Sequence, residues 1–311
     1  FFMYKAMFPQ LIAGPIVRYQ QIAAEITQRS LDNARLWRGF EQFLLGLAQK
    51  VLIANTVAVA ADGLFNANPQ HLSAPAAWLG LICYSLQILY DFAGYSNMAI
   101  GIGHMTGFTY PPNFNRPYAA LSITDFWRRW HISLSSWFRD YLYIPLGGNR
   151  GSNLRTYLNL SLVFILCGLW HGADWTFILW GGWHGLLLVL ERAGLAQQLA
   201  RWPALLAQSW TLLCVMLGWV FFRAHDLPGA LQYFQALAGF NQPDPLLHPW
   251  QMEVHAQQWC AIVIGSILAL WRNPPPLRSV LARAAFSALA LILCSASLAA
   301  GTYNPFIYFH F

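Results

Sequence analysis

Charged side chains are scarce in this sequence. Asp, Glu, Lys and Arg make up 10% of the 311 residues and hydrophobic residues make up 57%, whereas a soluble domain carries roughly a quarter charged residues. The formal net charge of +6 is spread over short connecting segments, which excludes the basic stripe of a nucleic-acid-binding protein. We expect the chain to lie in a lipid bilayer and to bind no nucleic acid.

Cysteine pairs and several common catalytic signatures are also absent. The five cysteines stand apart without a CxxC pair, so we interpret them as small buried apolar residues and expect no metal site. The sequence contains no GxSxG elbow, no GxxxxGK phosphate loop and no HExxH zinc motif. A serine hydrolase or an ATP-driven pump therefore has no support.

Long apolar runs predict an all-α polytopic membrane protein, because one crossing takes about 20 mostly apolar residues. The predicted crossings, about seven, lie near 39–61, 76–103, 156–172, 175–190, 205–222, 257–271 and 284–302. Segments 1–16 and 228–240 are too short or interrupted to span alone and are predicted to be re-entrant or interfacial. Residue 1 is Phe and no signal peptide follows, so we expect missing N-terminal helices. One membrane domain is predicted over 1–311.

The arginines predict which loops face the cytoplasm, because basic residues in short loops are retained there. Segment 18–38 holds four arginines and 116–155 holds six, while 62–75 holds no Lys or Arg. The first two segments are therefore predicted to be cytoplasmic and the third to lie outside.

One stretch, residues 122–141, combines polar and aromatic residues at helical spacing. Arg128, His131, Ser135 and Arg139 would share one face of a helix, opposite tryptophans and leucine. The pattern predicts an amphipathic helix at, or dipping into, the cytoplasmic interface. A basic anchor on anionic lipid is the alternative, although a histidine and a serine add neither charge nor apolar area to an anchor.

Two Trp-His-Gly phrases place histidines within apolar runs. His171 ends the run 156–172, and an ionisable group at such a position is either paired structurally or functional. His184 repeats the phrase in the next predicted helix, and a supporting or packing role is favoured for it.

A further polar stripe lies in the run 76–103. Gln87, Asp91 and Tyr95 are spaced at i, i+4 and i+8, so they share a helix face that must point away from lipid. We expect Asp91 to pair with an arginine of the amphipathic helix or to line a tunnel, and structural pairing is favoured.

Several stretches together resemble the membrane-bound O-acyltransferase family, in its bacterial alginate O-acetyltransferase-like branch. The resemblance is carried by 125–135 (DFWRRWHISLS), 138–150 (FRDYLYIPLGGNR), 168–173 (GLWHGA), 9–19, 91–101 and 304–311. It implies tilted helices around a central tunnel, with His171 as the essential histidine and His131 as the second catalytic position. The residues that it places along the substrate path are Trp130, Arg128, Ser135, Arg139, Asp140, Asp91, Tyr95 and Trp170. Asn97 departs from the branch, where Asp is expected.

The resemblance also implies a reaction. An acetyl group would pass from a cytoplasmic thioester, acetyl-CoA or another acyl thioester acting as donor substrate, across the bacterial inner membrane to an exopolysaccharide such as alginate. It implies a periplasmic or membrane-anchored acetyltransferase partner and no permanently bound cofactor. Three alternatives stay open: D-alanyl transfer to teichoic acid, a proton-coupled transporter or flippase, and a scaffold for a secreted acetyltransferase.

Overall fold

The computed structural model describes residues 2–10, 14–241, 243, 254–275 and 279–301, so the similar C-terminal stretch 304–311 lies outside the described residues. Within these residues every regular element is helical, which confirms the predicted all-α class. The α-helices are α1 (Phe2–Lys5), α2 (Tyr19–Thr27), α3 (Asn33–Ala48), α4 (Asn55–Asn66), α5 (Ala74–Met105), α6 (Ile123–Arg129), α7 (Ile132–Phe138), α8 (Asn153–His171), α9 (Trp175–Leu190), α10 (Ala196–Leu199), α11 (Ala204–Arg223), α12 (Leu227–Ala238), α13 (Ala256–Leu270) and α14 (Val280–Ala299). Single π-helical segments follow α3, α7 and α9 at Gln49–Ala54, Arg139–Tyr143 and Glu191–Leu195.

Four helical runs in the described part of the chain are long and apolar enough to cross a bilayer. They are Asn33–Asn66, which joins α3 to α4 through the π-helical segment, and α5, α11 and α14. The other predicted crossings form α8, α9 and α13, of which α13 has 15 residues and is about 22 Å long. Segment 228–240 forms the 12-residue α12, too short to span alone, as predicted.

The polar stripe of α5 faces the protein interior, as predicted for Gln87 and Asp91, which are both buried, while Tyr95 is partly buried. The predicted arginine partner of Asp91 is wrong: Lys50 Nζ lies 2.6 Å from Asp91 Oδ1. The α3–α4 run packs along α5 and brings Lys50, in its π-helical segment, opposite this carboxylate. A π-helical turn changes which residues face a neighbour, and the spacing within α5 alone does not reveal it.

Asn97 lies six residues after Asp91 in α5 and also contacts the α3–α4 run. Its side chain accepts a hydrogen bond from Gln42 Nε2 at 2.7 Å and donates one to Gln49 Oε1 at 2.7 Å. An amide can donate and accept, whereas an ionised Asp can only accept. The departure from the expected Asp is therefore accommodated by these two glutamines.

The arginine-rich segments meet at one end of the helices. Arg18 contacts Asp140 at 2.7 Å, and the Ile16 amide donates to Ser133 Oγ at 3.0 Å. At the opposite end Arg223, the last residue of α11, contacts Asp62 at 3.0 Å. This arrangement puts 18–38 and 116–155 together and 62–75 at the other end, and the assignment of the arginine-rich end to the cytoplasm stays a prediction.

The predicted continuous amphipathic helix over 122–141 is wrong. The chain forms α6, breaks at Trp130 and His131, and continues as α7 and the π-helical segment Arg139–Tyr143. The break occurs because His131 adopts a left-handed conformation with φ 42° and ψ 54°. Arg128 and His131 therefore do not share the helix face that the spacing predicts.

Candidate active site

His131 lies at the turn between α6 and α7, and Asn113 holds the backbone there. The Asn113 carbonyl accepts from the Ile132 amide at 2.9 Å, and Asn113 Oδ1 accepts from Ser133 N and Ser133 Oγ at 3.2 and 2.9 Å. Asn113 Nδ2 donates to Ser96 Oγ of α5 at 3.0 Å. These bonds satisfy amides that a helix break would otherwise leave open.

The turn between α6 and α7 lies deep among the helices. The His131 ring lies 4.6 Å from the ring of Phe92, near the middle of α5, and Trp130 lies 5.0 Å from Trp219 of α11. The start of α6 and the end of α7 both lie at the arginine-rich end. The two helices therefore form a re-entrant pair with His131 at its tip. Aromatic rings connect this turn to His171: Trp219 lies 6.2 Å from Trp180, and Trp180 lies 5.1 Å from His171, between ring centroids.

His171 is the last residue of α8 and is half-buried. Aromatic rings surround it: Trp170 at 4.8 Å, Trp180 at 5.1 Å and Phe222 at 5.2 Å between ring centroids. Trp170 itself is 55% exposed, and residues 173–175 that follow are exposed. The imidazole therefore borders both the interior and the end of the molecule opposite the arginines.

A cavity of about 410 Å³ lies between the re-entrant pair and helices α8 and α9. Its polar lining consists of Thr124, Arg128, Ser135, Ser136 and Arg139, and its wall is otherwise mostly apolar. Ile132, which follows His131, and Cys167, one turn before His171, also line it. The cavity is thus lined by two arginines, by the residue after His131 and by a residue one helical turn before His171, while His131 and His171 themselves are not among its lining residues.

The predicted site residues divide into two groups. Arg128, Ser135 and Arg139 line the cavity together. Trp130 does not: it is buried and packs against Tyr118 and Phe126, because it lies one helical turn after Phe126, on the side of α6 that faces the core. Asp140 is also outside the lining and instead contacts Arg18 and Arg139, both at 2.7 Å.

Asp140 holds two arginines at the arginine-rich end. Hydrogen bonds from Arg139 and Arg18 lower the pKa of its carboxyl to about 2. Asp140 is therefore ionised at neutral pH and fixes Arg139, a cavity residue, from behind. Its relation to the cavity is through this neighbour rather than through direct contact.

His184 is completely buried among aromatic rings. Trp127 lies at 5.1 Å and Trp180 at 5.3 Å from its ring, and neither imidazole nitrogen has a hydrogen-bond partner within the described structure. Trp180 therefore contacts both His184 and His171. This environment favours the packing role that was predicted for His184.

Three residues of the site were missed by sequence reasoning. Trp127 lines the cavity. The helical pattern placed it on the apolar face, and it could have been found from that pattern, because part of the apolar face forms the cavity wall. Cys167 was interpreted simply as a buried residue, although its spacing of four from His171 already put both on one face of α8. Asn113 lies in a loop without periodicity, so the sequence offered no signal for its role.

Fold and site define a helical membrane protein with two histidines on elements that border one internal cavity. The chain belongs to the membrane-bound O-acyltransferase family, whose model matches residues 1–204. This finding agrees with the resemblance seen in the motifs around His131 and His171.

The names of three curated relatives of this chain refer to three different polymers. The probable alginate O-acetylase of Pseudomonas aeruginosa is 44% identical over 86% of this chain and 50% of its own length. The peptidoglycan O-acetyltransferase of Helicobacter pylori is 44% identical over 77% of this chain and 46% of its own length. The teichoic acid D-alanyltransferase of Bacillus subtilis is 31% identical over 53% of this chain and 44% of its own length. The chain spans about half the length of these relatives.

Proposed function

We propose that this protein is an O-acetyltransferase that passes an acetyl group from a cytoplasmic thioester across the bacterial inner membrane, for O-acetylation of an exopolysaccharide such as alginate. One observation carries the proposal: a single cavity is lined by Arg128 and Arg139, by Ile132 next to His131 and by Cys167 one helical turn from His171. A multi-pass orientation with the arginine-rich end in the cytoplasm follows from the charge distribution.

The proposed reaction is attack of a hydroxyl on a thioester, with His171 as general base. Its neutral imidazole takes the hydroxyl proton while the oxygen bonds to the carbonyl carbon, and the carbon–sulfur bond then breaks. The thiolate that leaves receives the proton from the imidazolium, which restores His171. Histidine suits this exchange because its ordinary pKa lies near neutrality.

His131 is assigned to the acyl group rather than to the proton. At the tip of the re-entrant pair, an imidazole N–H can stabilise the oxyanion that forms on the thioester carbonyl, or orient the acyl donor. Its left-handed backbone, held by Asn113, fixes its position before substrate binds. Preorganised donors of this kind need no rearrangement during the reaction.

The cavity suits a thioester donor such as acetyl-CoA. The two arginines can bind phosphate oxygens bidentately, and the apolar wall suits a pantetheine-like arm. The donor would enter from the arginine-rich end, with its acyl group deepest. No cofactor held permanently is required, because the thioester is consumed in each cycle.

The acceptor is proposed to meet the acetyl group at the opposite end, where His171 approaches the surface. The alginate and peptidoglycan relatives share the same identity with this chain, 44%, which supports a polysaccharide as the final acceptor. We propose that a periplasmic or membrane-anchored acetyltransferase partner carries the acetyl group to it. D-alanyl transfer is less supported, because the relative with that name is only 31% identical.

The test uses inverted membrane vesicles from the producing bacterium, with the full-length protein and labelled acetyl-CoA added on the cytoplasmic side. We expect label on polysaccharide with the wild type and with His225→Ala, an exposed histidine outside the cavity lining, three residues beyond Phe222. We expect none with His171→Ala. Unchanged labelling in His171→Ala at equal protein level would favour a scaffold. Loss of proton flux in that variant, with acyl transfer never detected in the wild type, would favour a transporter.

A further inference from the structure

Glu191 is a buried carboxylate that lies outside the histidine site. It is 3% exposed and begins the π-helical segment that follows α9. Its carboxylate accepts hydrogen bonds from the Ile123 and Thr124 amides and from Thr124 Oγ1, the last two at 2.9 and 2.7 Å. A carboxylate removed from water is costly unless it is hydrogen-bonded in this way.

These donors belong to the first turn of α6. The next amide, of Asp125, donates to Ser122 Oγ at 3.0 Å, so the opening amides of α6 are satisfied by one carboxylate and one cap. Glu191 thereby fixes the base of the re-entrant pair to the end of α9. Hydrogen bonds to an ionised acceptor are stronger than neutral ones, which makes this junction firm.

Both helices that meet at this junction support the site. α6 places Thr124, Trp127 and Arg128 in the cavity wall and leads to His131 at the tip. α9 carries Trp180, whose ring contacts His171 at 5.1 Å. A shift of α6 relative to α9 would alter the cavity and the spacing of the two histidines together.

We propose that Glu191 is a positioning residue, which holds α6 in the register that shapes the donor cavity and places His131 at the tip of the re-entrant pair. This inference rests on the proposed acetyl transfer for its kinetic readout but not for its structural one. Glu191 itself takes no part in bond making or breaking.

The chain offers a matched control for this carboxylate. Glu25 also accepts from a threonine amide and the same threonine's hydroxyl, at 2.8 and 2.7 Å from Thr109, and lies outside the cavity lining. Glu191→Gln and Glu25→Gln therefore both remove a carboxylate charge from a threonine hydrogen-bond pattern, and Glu25→Gln also weakens the ion pair of Glu25 with Arg35. Only the first is expected to disturb the cavity.

The kinetic experiment measures acetyl transfer by the full-length protein at varied acetyl-CoA. For Glu191→Gln we expect the KM for the donor to rise and kcat to fall, with kcat/KM at least tenfold below wild type. Glu25→Gln should stay within twofold. A role limited to stability would reduce the amount of active protein and leave KM unchanged, and that result would overturn the proposal. If the Gln variant does not accumulate in the membrane, Glu191→Asp is measured instead, since it keeps the charge. We expect it to raise the KM for the donor and to lower kcat by smaller factors.

A second measurement does not depend on turnover. Labelling of Cys167 in the cavity wall by a small maleimide, followed on its own peptide by mass spectrometry, reports how open the cavity is. We expect Glu191→Gln to raise the Cys167 rate at least threefold, with the exposed Cys260 unchanged as internal reference. An unchanged Cys167 labelling rate in Glu191→Gln would overturn the positioning role, even if the wild type proved inactive in acetyl transfer. If the rate rose in Glu191→Gln but the wild type proved inactive, the result would count against the proposed acetyl transfer alone.

Discussion

At the scale of single residues, His131 carries the clearest mark of a constrained site. A left-handed backbone is uncommon outside glycine, and Asn and Asp accept it more readily than most residues. Strained conformations of this kind persist where the surroundings impose them, and here Asn113 does so through Ile132 and Ser133. The backbone and the imidazole of His131 can therefore be tested separately.

Replacing His131 with Asn is the first prediction. Asn tolerates φ 42° but removes the imidazole, so we expect thermal unfolding of the purified protein to stay near wild type. We expect kcat for acetyl transfer to fall roughly a hundredfold or more, as when an oxyanion donor is lost. Full activity in a normally folded His131→Asn protein would contradict the assignment.

The second prediction concerns Asp140 and pH. Its pKa is lowered to about 2 in the folded protein, below the ordinary value of roughly 3.9. The ionised form is thus favoured by folding, so its stabilisation is present above the unfolded pKa and is lost as pH falls toward 2. Because the carboxylate is about a quarter exposed, we expect Asp140→Asn to cost less than about 1 kcal/mol at pH 7. Unfolding by detergent should show a smaller difference in unfolding free energy between wild type and Asp140→Asn at pH 3 than at pH 7. A larger difference at pH 3 would contradict the lowered pKa of Asp140.

At the scale of helices, α8 and α9 approach each other through glycines. A Cβ on Gly181 would collide with the Phe164 carbonyl oxygen, and one on Gly168 with the Phe177 carbonyl oxygen. Both collisions are with backbone, which cannot rotate away. The close contact of these helices fixes the end of α8, where His171 lies.

Gly181→Ala is therefore predicted to destabilise the protein by about 1–3 kcal/mol, the usual cost of overpacking, and to lower activity by displacing His171. The neighbouring Gly182 is the control, because a Cβ there would meet nothing within 4 Å. Gly182→Ala should be neutral or slightly stabilising, since Ala favours helix. Equal thermal unfolding temperatures for the two variants would show that the helices are not in close contact.

The sequence predicted some of these elements and not others, for physical reasons. The end of α8 near His171 was predictable because the apolar run stops at glycine there. The break at His131 was not, because it depends on Asn113, far along the chain, rather than on local helical spacing. The partner of Asp91 was missed because a π-helical segment decides how Lys50 faces α5.

At the scale of the whole molecule, the arginine-rich segments lie together at one end and Asp62 with Arg223 lies at the other. This arrangement predicts that cysteines placed at two exposed positions, one at each end, are labelled from opposite sides of the membrane. Both are introduced into a Cys260→Ser protein, because the other cysteines are buried and only Cys260 is exposed. In intact cells, an impermeant maleimide should label Gln70→Cys and leave Asn153→Cys unlabelled until the membrane is opened. Labelling of Asn153→Cys from outside would reverse the proposed orientation.

The proposed acetyl transfer depends most on His171, which lies one helical turn from the cavity-lining Cys167 and next to the exposed residues 173–175. The most direct measurement is the acetate content of cell-surface polysaccharide in cells that carry wild-type protein, His171→Ala or His225→Ala at equal membrane levels. We predict that the acetate content with His171→Ala is at least a hundredfold lower than with the wild type or with His225→Ala. Wild-type acetate levels with His171→Ala would contradict the central claim.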